Sequence, residues 1–270
     1  MATDHGVGPK TAHASGISGH KAPMSLTRPK APVILALETA TPCGSVALVS
    51  PGRCLGEYSL DTGTALSQRL LTGVAWLLAQ ANLTWDRIDA IAVSLGPGSF
   101  TGLRIGLATA KGLCLASGKP LLGVASLDGL AAQLPFAALP VCPVVDARKK
   151  EIYTALYHCD DSGVPVRTSN FLAIAPEKIG KIISGPTLFI GDGLPLYGQM
   201  LRDMLPEYAR LAPPEICFAR AAAIGSLALR LFAAGKFLDP ATAVPIYIRA
   251  SDAELQLGGK EGSRPPACGS

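Results

Sequence analysis

The sequence predicts an α/β protein of mixed sheets flanked by helices, laid out in two rounds of similar order. Three observations carry this reading. Apolar runs of strand length alternate with stretches whose apolar residues recur at helical spacing. The first strands follow one another directly, as a hairpin and a third strand, before helices and strands begin to alternate. Near residue 141 the same order starts again.

In chain order, residues 33–37 form a continuous apolar run that suits a buried strand. Residues 39–44 supply turn chemistry, 45–49 return as a second strand, and 56–60 give a third. Over 67–81 the positions Leu70, Leu71, Val74, Leu77 and Leu78 recur at helical spacing. A strand at 88–95 leads into Gly96-Pro-Gly-Ser-Phe-Thr-Gly102 and a helix over 103–117, which Lys119 and Pro120 end before a strand at 121–124. The second round has strands at 141–145 and 152–157, a third at 171–173, and a short helix over 176–183. A strand at 188–190 runs into Gly191-Asp-Gly193 and a helix over 194–204. An alanine-rich helix over 219–234, stopped by Gly235, and an extended tail over 244–249 complete it. The domain reading is a flexible leader at 1–31, an N-terminal lobe at 32–128, a C-terminal lobe at 129–249 with the return helix 219–234, and a loose tail at 250–270.

Composition narrows the function classes. Hydrophobic residues make up 49% of the 270-residue chain and charged ones 16%, a balance that suits a large buried core and excludes a disordered or fibrous chain. The formal net charge is +4. Lys10, Lys21, Arg28 and Lys30 against Asp4 place most of it in the leader, so the body is near neutral and suits weak RNA binding by itself. The leader is rich in Gly and Pro and holds His5, His13 and His20; Met24 is a competing start, and an organellar targeting role suits it poorly. Seven cysteines stand singly with no C-x-x-C pair, which points to a reducing compartment rather than a disulfide framework. No apolar run reaches the roughly 18 residues of a membrane helix. The expected location is the cytoplasm.

The richest motif is the glycine loop at 96–102 with the helix behind it. A loop of this kind after a strand aims free helix N–H groups at whatever sits there, so Gly98, Ser99 and Thr101 are candidates for an anion. It is neither a Walker loop, lacking the Lys-Ser/Thr end, nor a nucleophile elbow, since Ser99 lacks the flanking glycines. Glu38 and Thr39 end the first strand, where a carboxylate can hold a metal-bound water beside phosphates or simply be a solvated or capping group. Gly102, Gly106 and Ala110 recur every four residues, with Cys114 continuing the ridge. Such a ridge admits a close neighbour, either the chain's own sheet or a partner helix. Asp146 and Arg148 stand at one turn, and Asp192 at another, where it is placed to cap the next helix. His158 is the one histidine of the body, and no triad or zinc spacing surrounds it. No catalytic residue, metal ligand or cofactor is expected.

Four blocks fall in the order and spacing of the TsaB (YeaZ) family: Ile34-Leu-Ala-Leu-Glu-Thr-Ala-Thr, the glycine block through Leu103-Arg-Ile-Gly106, Val145-Asp-Ala-Arg-Lys-Lys-Glu-Ile-Tyr153, and Pro245-Ile-Tyr-Ile-Arg249. The chain resembles that family over roughly 33–249. The resemblance implies an actin-like, RNase H-like (ASKHA) fold of two lobes. It implies a non-catalytic subunit that pairs with TsaD and activates it for threonylcarbamoyl transfer to the tRNA adenosine next to the anticodon. TsaD carries a His-x-x-x-His metal pair that is missing here. A TsaE-type ATPase joins at the seam, tRNA is met only through the complex, and the chain self-pairs when alone.

The resemblance also assigns the TsaD contact to the first two helices, here 67–81 and 103–117. The expected interface residues are Leu70, Val74, Leu77, Gly102, Leu103, Gly106, Leu107, Ala110, Leu113 and Cys114. Two departures stand out: Leu66 replaces a frequent His before the first helix, and Glu38 stands where Asp is common. The rival readings are an enzyme of the same fold, an ATP-dependent kinase or a peptidase, and a homodimeric binding module.

Overall fold

The structure is a computed structural model that describes residues 31–61 and 66–248. The leader up to residue 30, with its three histidines, and the tail from residue 249 lie outside the described residues.

The first sheet opens with an antiparallel meander of β1 (Ile34–Glu38), β2 (Cys43–Ser50) and β3 (Arg53–Asp61). After α1 (Leu66–Gln80), β4 (Ala90–Ser94) pairs parallel to β1; after α2 (Phe100–Ser117), β5 (Leu121–Val124) pairs parallel to β4. The strand order is β3-β2-β1-β4-β5. Then come α3 (Ser126–Ala131), β6 (Val141–Asp146), β7 (Ile152–Thr154), β8 (Tyr157–Cys159), β9 (Pro165–Arg167) and β10 (Leu172–Ile174). They are followed by β11 (Thr187–Ile190), α4 (Leu194–Met204), β12 (Ala209–Leu211) and α5 (Ala221–Ala233). The second sheet runs β10-β7-β6-β11-β12, with β8 and β9 attached beside β6. It repeats the first strand for strand: antiparallel neighbours on one side of the leading strand, parallel ones on the other. Two such sheets make the actin-like, RNase H-like architecture.

Period-two alternation decides which helix covers which face. Leu35, Leu37, Val46, Leu48, Ile91 and Val93 point one way, into a core closed by Leu70, Val74 and Leu77 of α1 and Leu107, Ala110 and Cys114 of α2. Their neighbours Ile34, Ala36, Ala47, Val49, Ala90 and Ala92 point the other way, against Ala221, Ile224 and Ala228 of α5. Alanines dominate that face, so α5 lies close to the strands. The helices that end the two rounds are exchanged: α5, from the second, closes the first sheet, whereas Leu127 and Leu130 of α3 join the core of the second.

Several details differ from the sequence reading. The strand expected at 152–157 breaks into β7 and β8, because the amide of Leu156 turns aside to Ser169 Oγ at 2.9 Å. The segment expected as a short helix at 176–183 is a 3₁₀ helix, Pro176–Lys181. α3, β9 and β12 were not anticipated; each has six residues or fewer, too short for a periodic signal. The tail at 244–248 joins no sheet. It is tied to the glycine loop by Ile246 N–H donating to Leu95 O at 2.7 Å.

Candidate functional site

The end of β1 and the glycine loop meet, with Thr39, Ala40, Gly96 and Gly102 buried at the contact and Ser99 and Thr101 at the surface. Ser99 caps α2 with Oγ, which accepts from Gly102 N–H at 3.2 Å, while Ser99 N–H donates to Ala40 O at 2.7 Å. A Cβ on Gly98 would overlap Ala40 O, one on Gly102 would overlap Thr39 O, and one on Gly106 would overlap Thr39 Oγ1. The glycines are there because the turn after β1 lies directly on α2. Among the positions read as anion candidates, Gly98 is packed by the chain's own carbonyl and Ser99 spends its hydroxyl on the helix. Thr101 is exposed on the first turn.

Glu38 is fully buried. Its Oε1 accepts from Ala40 N–H at 2.5 Å, whereas Oε2 has no hydrogen-bond partner. Burial pushes the carboxyl up to about 7; the Ala40 amide and the nearby Ser94 hydroxyl offset part of this, and Asp192 in the second lobe adds to the rise. Thr39 Oγ1 is likewise buried without a partner, while Thr39 N–H donates to Ser94 Oγ at 3.3 Å. Asp192 does not cap α4. Its Oδ1 accepts from Asp146 N–H at 3.3 Å, and burial lifts its carboxyl to about 6. Asp146 ends β6 as Glu38 ends β1, and pairs with Arg148 at 3.2 Å. Asp192 therefore stands near enough to both Asp146 and Glu38 for their charges to interact. Among the described residues no group of three or more His, Cys, Asp and Glu side chains is arranged to hold a metal ion. His158 is exposed on β8.

The residues expected at a partner interface are spent on the chain's own core. Leu70, Val74, Leu77, Gly102, Leu103, Gly106, Leu107, Ala110 and Cys114 are buried, and Leu113 is half-buried. The four-residue repeat of small side chains serves the approach of α2 to Thr39 and β1. The opposite side of each helix is open. On α2 it carries Thr101, Arg104, Ala108, Gly112 and Leu115, the last 88% exposed. On α1 it carries Leu71, 52% exposed, with Ala75 and Trp76, 51% exposed; Trp76 leans on Tyr58 of β3 with ring centroids 5.7 Å apart. Leu71 belongs to the apolar stripe read from the sequence, yet the structure leaves it exposed; Trp76 and Leu115 lie outside that stripe and outside the small-residue ridge.

The protein of Escherichia coli (strain K12) called tRNA threonylcarbamoyladenosine biosynthesis protein TsaB is 32% identical over 243 residues, which are 84% of this chain and 99% of that one. The chain belongs to the TsaB family. The Bacillus subtilis (strain 168) protein of the same name is 30% identical over 230 residues, covering 83% of this chain and 96% of its own. YeaZ from Pseudomonas aeruginosa, a solved structure, matches with a TM-score of 0.69 at 28% identity, over 80% of this chain and all of that one. Residues 61–165 also match the family described as TsaD, tRNA N6-adenosine threonylcarbamoyltransferase. In this TsaB-family chain that span holds both α1 and α2. No helix among the described residues is long and apolar enough to cross a membrane.

Proposed function

We propose that this chain is a non-catalytic cytoplasmic subunit of the tRNA threonylcarbamoyladenosine machinery, which pairs with a TsaD-type subunit and activates it. The observation that carries the reading is the open face of α1 and α2, with Leu71, Trp76 and Leu115 presented to solvent on a segment that itself matches TsaD. Two related chains that present the same helix pair have the pieces of a pseudo-symmetric, helix-to-helix contact. The same surface then serves self-pairing in the absence of the partner. The interface residues of this proposal are the outward ones, because the inward ridge is already occupied by β1.

The setting of Glu38 and of the glycine loop supports the non-catalytic part of the reading. Glu38 has no surface open to solvent, so a substrate or a hydrated metal ion has no open path to its carboxyl. The loop that would cradle a phosphate is packed by Thr39 and Ala40. Activation then works by binding one TsaD conformation better than another. TsaE joins at the seam of the pair, and tRNA is met through the assembled complex. The test is threonylcarbamoyl transfer to tRNA by TsaD of the same organism. Transfer is expected with both chains and not with this chain alone. The change Leu115→Glu in this chain is expected to reduce it at least about tenfold, by burying a charge against the partner, with unchanged thermal unfolding. Transfer indifferent to this chain, or to Leu115→Glu, would argue against the reading.

A further inference from the structure

At the start of α2 an arginine is held by two aromatic rings from distant parts of the chain. The guanidinium carbon of Arg104 lies 3.8 Å from the ring centroid of Phe100, one turn earlier. Its Nε donates to the hydroxyl of Tyr247 at 3.2 Å, and the Phe100 and Tyr247 rings touch at a 34° tilt with centroids 5.2 Å apart. Tyr247 arrives on the segment at 244–248 that Ile246 ties to Leu95. Arg104 and Tyr247 are both exposed, Tyr247 at 41%.

Helix stability does not account for the arginine. α2 has no acidic residue in its first turn, and a cation near a helix N-terminus opposes the helix dipole. Among the described residues no carboxylate pairs with Arg104. Among the described residues Tyr247 takes one of the five guanidinium donors, and the terminal fork remains to form two parallel bonds. The aromatic clasp fixes that fork before any partner arrives, which lowers the ordering cost of binding. Helical spacing puts Arg104 on the same outward face as Ala108 and Leu115.

We infer that the Phe100–Arg104–Tyr247 clasp is the charged anchor of the partner surface, with the Arg104 fork receiving a carboxylate of the TsaD-type subunit. This rests on the pairing proposed above. Tyr247 is a positioning residue: it orients the guanidinium and makes the C-terminal segment part of the interface. A protein carboxylate is favoured over an RNA phosphate because the clasp continues into the apolar surface at Leu115, and because the body of the chain is near neutral.

Calorimetric titration of the full chain with TsaD, at low and at high salt, tests this. Arg104→Ala is expected to weaken binding about thirty-fold, as central interface arginines do, and to flatten its salt dependence. Arg104→Lys keeps the charge but loses the fork, and is expected to lose about tenfold. Tyr247→Phe is expected to weaken binding about three-fold in the wild type and not at all in the Arg104→Ala background, the coupling that a positioning role requires. Folded Arg104→Lys and Tyr247→Phe chains that bind like wild type would overturn the inference, even if Arg104→Ala failed to fold. So would an Arg104→Ala chain that binds TsaD normally but loses affinity for tRNA. If the wild-type chain did not bind TsaD, the pairing itself would fall, and the clasp with it.

Discussion

A carboxylic acid closed off from water holds its proton more tightly than one in an unfolded chain, and Glu38 is such an acid. Folded, it titrates near 7; unfolded, near 4.3. The folded state therefore binds more protons than the unfolded one between those values. The stability contributed by neutral Glu38 is fully present below about pH 4.3 and is lost as pH rises towards about 7. Asp192, raised to about 6, adds a loss of the same sign in an overlapping window. Glu38→Gln keeps an acceptor for Ala40 N–H and removes the titration. It is expected to gain on the order of 2–3 kcal/mol over wild type at pH 8 and little at pH 4. Urea unfolding at both pH values measures this, and parallel profiles for the two proteins would contradict it. Gly106 makes the second prediction at this scale. Its Cβ position is taken by Thr39 Oγ1, so Gly106→Ala is expected to destabilise the chain by about 1–3 kcal/mol, as overpacking does. A fully stable Gly106→Ala chain, judged by its denaturant midpoint, would mean that α2 does not lie against β1 as described.

Among the elements, α5 has the longest reach. It closes a sheet whose last strand ends at Val124, well before α5 begins at Ala221, and a small polar network fixes where it starts. Glu57 of β3 pairs with Arg220 and accepts from Ala222 N–H at 2.9 Å; Ser45 Oγ accepts from Ala221 N–H at 3.1 Å. Glu57→Ala is expected to cost about 1–2 kcal/mol, chiefly because it leaves the Ala222 amide unpaired, the exposed Arg220 guanidinium being free to turn to water. Hydrogen exchange should then rise first in α5, and uniform exchange across the chain would speak against that role. The element types of both rounds were legible because long runs carried the period: Leu70 to Leu78 for α1, the apolar runs for β1 and β4, the alanine-rich stretch for α5. The short pieces were not. Three-residue strands such as β9 and β12 take their existence from pairing with a neighbour, and the six residues of α3 span too few turns to show a stripe. Nor was the facing of α2 legible. A ridge of small residues reports that something comes close, not whether it is the chain's own strand, and only the Thr39 turn decides between them. The clasp joins residues 143 apart in sequence, beyond any local pattern.

At the scale of the molecule, two sheets share one five-strand order and bring the buried acids Glu38 and Asp192 near each other, while the outer helices of the first sheet expose leucines, a tryptophan and a clamped arginine. The inward side of those helices stabilises the fold, and the outward side is the surface proposed above for another protein. In the reading proposed above that other protein is a TsaD-type chain, which membership of the TsaB family and the match of residues 61–165 to TsaD support. The most direct measurement is light scattering on a gel-filtration column, with the chain run alone and with TsaD from the same organism. The account predicts a new peak at the mass of a mixed pair and loss of the self-paired form. Two unchanged peaks, with or without nucleotide and a TsaE-type ATPase, would contradict it and leave a homodimeric module in its place.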